Sequence, residues 1–198
     1  MRVSSLIRLG VAMVLLVAAR STRAQPTPHS VDADGRRVSA HILLGGFVPT
    51  GAQRRALGPA ALIGAQLAVG LRPQLAVVGG VAIAQTRDRS APTSTDVDLV
   101  QFDVGVEVGG GAAQSARRGI APFGGIGIGG RRYDHRADGV ATQTVLAGYL
   151  AAGAELTLWR TGLRIEARDY LSGGHGRADG ASVRNDLALL AGLAYHFR

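Results

Sequence analysis

The chain has no cysteine. That excludes disulfides, thiolate zinc sites, iron–sulfur clusters and thiol chemistry. It has no lysine either, so all 22 basic residues are arginine. Glutamate is scarce, with Glu107, Glu155 and Glu166 the only three. Aromatic residues make up 5% of the chain. Beyond the N-terminal stretch, no apolar run reaches about 18 residues without a charge or a breaker, which excludes a membrane-spanning helix there. The longest apolar region, Ala60–Ala84, is cut by Arg72-Pro73. Glycine is plentiful at 29, but without a collagen-like period. The length of 198 residues fits one domain.

Residues 1–24 stand apart. Arg2 and Arg8 precede the apolar run Leu9–Ala19, and Thr22-Arg23-Ala24 follows as a small-x-small site. Together they predict a cleavable signal peptide, with Gln25 as the mature N-terminus. The run is too short for a spanning helix, which needs about 20 residues. Residues 25–37, with Pro26, Pro28 and Gly35, predict a flexible periplasmic leader. Cleavage removes four arginines and lowers the net charge from +8 to +4. With no basic helix and no aromatic RNA-binding motif, nucleic acid is not an expected partner.

From Val38 onward, segments of period two alternate with turn signals. Val100, Phe102, Val104, Val106 and Val108 share one face, and Gln101, Asp103, Gly105 and Glu107 the other. Leu187, Leu189, Ala191, Leu193, Tyr195 and Phe197 oppose Asp186, Ala188, Leu190, Gly192, Ala194 and His196. Such alternation predicts strands. Eight are expected: Val38–Val48, Ala60–Leu71, Gln74–Thr86, Val97–Gly109, Ile120–Tyr133, Thr144–Leu158, Leu163–Leu171 and Asn185–Phe197. Ala60–Leu71 also has helical propensity. Most exceed the five or six residues usual in soluble strands and match the roughly 9–11 of membrane strands.

Polar loops follow the odd segments. Tight turns follow the second and sixth, at Arg72-Pro73 and Trp159–Gly162, while Gly110–Gly119 is longer. Long loops on one side and short turns on the other is the outer-membrane pattern. Phe47, Tyr133 and Tyr170 lie near the expected outer strand ends, and Phe123, Trp159, Tyr195 and Phe197 near the inner ones. That distribution predicts two aromatic girdles.

All three glutamates fall opposite the aliphatic faces, joined by Asp103, Arg164, Arg168, Gln66 and His196. In a membrane barrel the aliphatic face meets lipid, where an arginine would cost roughly 2–4 kcal/mol at the midplane. The polar face then meets itself and must pair. Asp103, Glu107, Glu155, Arg164, Glu166 and Arg168 are therefore the expected lumen ion-pair network. The expected fold is an all-β, eight-stranded antiparallel up-and-down transmembrane barrel over residues 38–198.

The strands Leu163–Leu171 (LRIEARDYL) and Leu190–Phe197 (LAGLAYHF) resemble the last two strands of small outer-membrane barrels. These families include OmpA-like transmembrane domains, OmpX-like proteins and the opacity-type porin-like group. The resemblance covers essentially the whole mature chain. It implies outer-membrane localisation among its lipids and insertion by the barrel-assembly machinery. It also implies an assembly signal in Tyr195 and Phe197, although here Arg198 follows the aromatic residue.

Chemical motifs have bland explanations. Gly125–Gly130 matches GxGxxG, but inside a strand rather than opening a helix. Asp96 and Asp98 are too few for Ca²⁺, which takes about 6–8 oxygens. His175, Asp179 and Ser182 share one loop, and His135 lies near Asp134 and Asp138, without any known enzyme motif. His41 and His196 read as inward hydrogen-bonding groups. No catalytic residue, metal or cofactor is expected. Arginines crowd the loop side, including Arg54, Arg55, Arg87 and Arg89. Arg131, Arg132, Arg136, Arg177 and Arg184 join them, and of the whole set Arg131, Arg132 and Arg136 are the expected contact with lipopolysaccharide phosphates. The expected role is a non-enzymatic structural or surface-interaction barrel with a filled lumen. Two alternatives stay open: a small-solute transport or ligand-binding barrel, and a soluble exported lipocalin-like barrel.

Overall fold

A computed structural model describes residues 37–50, 54, 57–89, 95–109, 118–136, 142–173 and 183–197. The signal peptide, the leader up to residue 36, Asp138, His175, Asp179, Ser182 and Arg198 lie outside these residues.

Eight strands are present: β1 Val38–Pro49, β2 Ala60–Arg72, β3 Leu75–Asp88, β4 Thr95–Gly109, β5 Arg118–His135, β6 Gln143–Leu158, β7 Thr161–Gly173 and β8 Val183–Phe197. Each pairs antiparallel with its sequence neighbour, and β8 closes on β1. Ala60–Arg72 is a strand despite its helical propensity, because its alternation places Leu62, Gln66 and Ala68 inward. Pairing with β1 and β3 outweighs local preference. The turns after β2 and β6 contain two residues each, Pro73-Gln74 and Trp159-Arg160.

Register fixes the barrel's shape. Following hydrogen-bonded partners once around, Val38 leads through Val69, Val77, Val106, Ile126, Leu150, Asp169 and Leu187 to Val48. The ladder therefore returns to β1 ten residues higher than it left. Eight strands with that stagger tilt by about 40° and enclose a space just wide enough for side chains. Every residue in this circuit faces outward, and all but Asp169 are aliphatic.

The lumen is packed by matching small residues to large ones. Gly105, Gly125, Gly127 and Gly129 leave the β4–β5 wall bare on its inner side, and Tyr149 crosses from β6 to cover it. A Cβ at Gly127 would run into the Tyr149 ring, and one at Gly129 into Asp103. The glycine repeat of Gly125–Gly130 is thus a seat for an aromatic ring in a strand. At the foot of β4, Gly109 holds φ +85, and a Cβ there would strike the Pro122 carbonyl.

We expect Gly127→Val to lower the stability of the folded barrel by roughly 1–3 kcal/mol through overpacking. Adding Tyr149→Ala should recover part of the loss. Urea unfolding in lipid vesicles measures both, and equal losses in the single and double variants would contradict the ring-seat account.

Candidate functional site

The inward face of β7 carries Arg164, Glu166, Arg168 and Tyr170 in sequence, and strand alternation aims all four across the lumen. Glu166 is clasped from both sides. Its Oε2 accepts from Arg164 Nε at 2.9 Å, and its Oε1 accepts from Arg168 Nε. Arg164 reaches on to Glu107 of β4, donating from Nη2 at 2.5 Å and Nη1 at 3.3 Å. Its Nη1 also lies 3.6 Å from Glu155 Oε2 on β6. Arg168 donates to Gln66 of β2 at 2.8 Å and to Asp103 of β4 at 3.2 Å. All six residues expected to form the lumen network are therefore brought together.

The network extends further. The Tyr170 hydroxyl donates to Asp103 at 2.8 Å, and Gln101 donates to the same carboxylate at 2.7 Å. Arg131 Nε donates to Gln101 at 3.0 Å, and its Nη1 pairs with Asp186 at 2.5 Å. Polar contacts thus run from Glu155 near the short-turn end to Asp186 near the long-loop end, joining β2 and β4 through β8.

Aromatic rings line the same space. Arg164 stacks 3.6 Å from the Phe123 centroid, and Arg131 lies 4.1 Å from Tyr170 and 5.3 Å from Phe47. Cation–π contact is stronger where water is excluded. Here the two-girdle expectation is corrected. Phe47, Phe123, Tyr133 and Tyr170 are buried inward, whereas Trp159, Tyr195 and Phe197 face out at the short-turn end. Strand-end position was visible in the sequence, but parity decides which side a ring takes.

Arg131 is the second correction. It is 0% exposed and inward, so it cannot meet a surface phosphate. Its neighbour Arg132 points outward between Val100 and Thr144. Arg136 is exposed but held by both oxygens of Asp98 at 3.0 Å, which raises its guanidinium pKa. The three arginines therefore do not form one surface cluster. Asp96 and Asp98 are engaged by Arg87 and Arg136. Elsewhere Arg54 and Arg89 line a groove of about 480 Å³ with Thr50, Leu57 and Pro59 at the long-loop end.

His41 and His196 meet Glu155 at the opposite mouth, with Ser39 beside His41. His196 Nε2 lies 2.9 Å and His41 Nε2 3.8 Å from the Glu155 carboxylate, and Ser39 Oγ is 3.0 Å from His41 Nε2. These are the residue types of an acyl-transfer triad, but a triad needs hydroxyl and carboxylate on opposite ring nitrogens. Both approach Nε2 here, and Ser39 is fully buried. The cluster ties β1, β6 and β8 together at this mouth.

The lumen leaves little room. The cavity beside Gln66, Gln101, Asp103, Arg168 and Tyr170 has about 20 Å³, enough for one water. Above it, Phe47, Leu57, Leu62, Leu99, Tyr133 and Val145 form an apolar layer near the long loops.

No family model and no curated protein sequence matches the chain. Solved structures do match its fold. The attachment invasion locus protein Ail of Yersinia pestis, crystallised with the heparin analogue sucrose octasulfate, aligns at TM-score 0.57 and 9% identity. The alignment covers 82% of this chain and 99% of that one. Neisserial surface protein A aligns at 0.55 and 16%, over 82% and 97% of the two chains. The N-terminal barrel domain of Pseudomonas aeruginosa OprF aligns at 0.53 and 12%, over 81% and 97%. The chain therefore has the fold of small outer-membrane eight-stranded barrels, as the resemblance of its last two strands implied.

Glu166→Ala would leave two buried guanidinium groups short of their shared partner. Breaking a buried pair in this way typically costs roughly 3–5 kcal/mol. A drop of that order in the unfolding free energy in vesicles is the expected result, and an unchanged urea midpoint would count against the network as a strut.

Proposed function

We propose that this chain is an exported, non-enzymatic outer-membrane barrel with a structural or surface-interaction role and a lumen closed by its own side chains. The inverted polarity carries this reading. Arg131, Arg164 and Glu155 are sealed inside, while Ile42, Val104, Ile128, Leu146, Ile165 and Leu193 stand open on the outer wall. Water around such a wall would leave a large exposed apolar surface, whereas a bilayer covers it.

The register supports a membrane fit. Polar outward residues begin at Gln85, Asp98, Arg132, Thr144 and Asn185 on β3, β4, β5, β6 and β8. Below that line the outer wall is apolar down to the short turns, aliphatic save for Phe102 and, near the foot, Tyr195 and Phe197, with Asp169 the charged exception among the described residues. Allowing for tilt, the band is about 25 Å tall, the height of the apolar belt of outer-membrane barrels. The signal peptide, and the assembly signal at Tyr195 and Phe197, belong to the same proposal. These two rings pack edge to face at 5.0 Å on the outer wall. Against a soluble lipocalin-like barrel stands the filled interior, and against solute transport the water-sized cavity.

For the outer surface we propose lipopolysaccharide contact through the groove of Arg54 and Arg89 rather than through Arg131. Neither groove arginine has an ion-pair partner among the described residues, and arginine matches phosphate bidentately. The Ail complex with a polysulfated sugar shows that a barrel of this fold can take a polyanion.

Cell fractionation with heat-modifiable gel migration tests the location. Recovery in the outer-membrane fraction, with folded and heated forms migrating differently, is expected, and recovery in the soluble periplasm would overturn it. Planar bilayers should show no steady large conductance. For the groove, Arg54→Gln with Arg89→Gln should weaken binding to lipopolysaccharide vesicles several-fold, while Arg131→Gln should lower stability and leave binding intact. The opposite pattern would remove the groove from consideration.

A further inference from the structure

Asp169 breaks the outer wall. It lies on β7 in the outward parity of Leu163, Ile165 and Leu171, flanked in register by Leu150 and Leu187. Counting rise and tilt, it sits about 8 Å below the level where polar outward residues begin. Among the described residues its one polar contact is Asn185 Nδ2, at 3.5 Å. No cation pairs with it among the described residues. A carboxylate at membrane depth is a functional-site candidate that calls for a partner. Outer-leaflet phosphates cannot serve, because they carry the same sign.

The chain itself offers the complement. Arg132 faces outward on β5 at the upper edge of the apolar band and has no ion-pair partner among the described residues. Asp169 and Arg132 lie on the two strands that flank β6. Between them Gly148 faces outward, with Leu146 above it and Leu150 below. A two-fold axis along the membrane normal through β6 would set β5 of one copy against β7 of the other, twice over. That is the self-complementary geometry of an isologous interface. Arg132 stands about 8 Å higher than Asp169, a gap an arginine can close by extending its side chain. Gly148 lets the two walls approach closely.

We propose that two copies of this chain associate in the membrane through β5, β6 and β7, with Asp169 of each meeting Arg132 of the other. This rests on the outer-membrane reading. The absence of cysteine makes a direct test available. Leu146→Cys should form an oxidised dimer in reconstituted vesicles, and Ile63→Cys on the far wall should not. Asp169→Asn or Arg132→Gln should cut the Leu146→Cys dimer about tenfold, and Asp169→Arg combined with Arg132→Asp should restore it. A heat-modifiable, vesicle-inserted protein without that dimer, or with one insensitive to both charges, would overturn the pairing. In native membranes, a cross-link to a protein of different mass in place of the dimer would overturn the second copy as partner. Protein that never enters vesicles defeats the membrane reading itself, so the two failures are distinct.

Discussion

Everything inside this barrel depends on how Glu166 is held. One carboxylate sits between Arg164 and Arg168 on the same strand, two residues away on either side. Like charges so close would repel without it. With it, β7 presents an alternating row whose two guanidinium groups are free to grip other strands. Arg164 takes Glu107 and approaches Glu155, and Arg168 takes Gln66 and Asp103. Burying charges of this kind repays its desolvation only when nearly every donor finds an acceptor. The strands are thus tied across the lumen as well as edge to edge.

The ten-residue stagger makes that arrangement possible. It sets a radius at which arginine side chains span the interior, and a fill of alanine and valine alone would leave it hollow. The glycines of β4 and β5 offset the bulk of Tyr149 and the arginines. The aromatic rings then do double service. Phe123 and Tyr170 supply volume and also a negative π face to Arg164 and Arg131. At the long-loop end Phe47 and Tyr170 flank the buried Arg131 guanidinium.

Much of this was legible in the sequence. Parity gives the inward face of every glutamate and most of the strands, because a period of two survives wherever one face is aliphatic; Ala60–Leu71, with its helical propensity, and the glycine-rich Ile120–Gly130 are less plainly marked. Parity also contained Arg131, which shares its side with Gly125, Gly127 and Gly129. Glycine has no side chain to advertise a face, so the pattern blurs there and Arg131, at the loop-side end of its strand, reads as a surface charge. Tyr170 was plainly near a strand end, but the stagger that carries it over Arg131 depends on register. Register in turn depends on which residues pair across eight strands, and no single segment contains that information. Asp169 was visible by the same count that placed Ile165 outward. In sequence, though, a charge beside LRIEAR reads as one more member of a polar row.

That last point bears on what the outer wall is for. A barrel whose only task were to sit in lipid would have no reason to retain a carboxylate in the circuit from Val38 to Val48, where every other position is aliphatic. The lumen cannot have demanded it, because the side chain points away. The turn chemistry cannot have demanded it, because Asp169 lies well inside β7. Acidic residues on the lipid face cost less than arginine or lysine but still weaken a barrel. A cost borne on one wall and absent from the opposite wall is directional. In the proposed dimer, β5 to β7 form the wall turned to the second copy, with Arg132 as the charge on the same wall that answers Asp169.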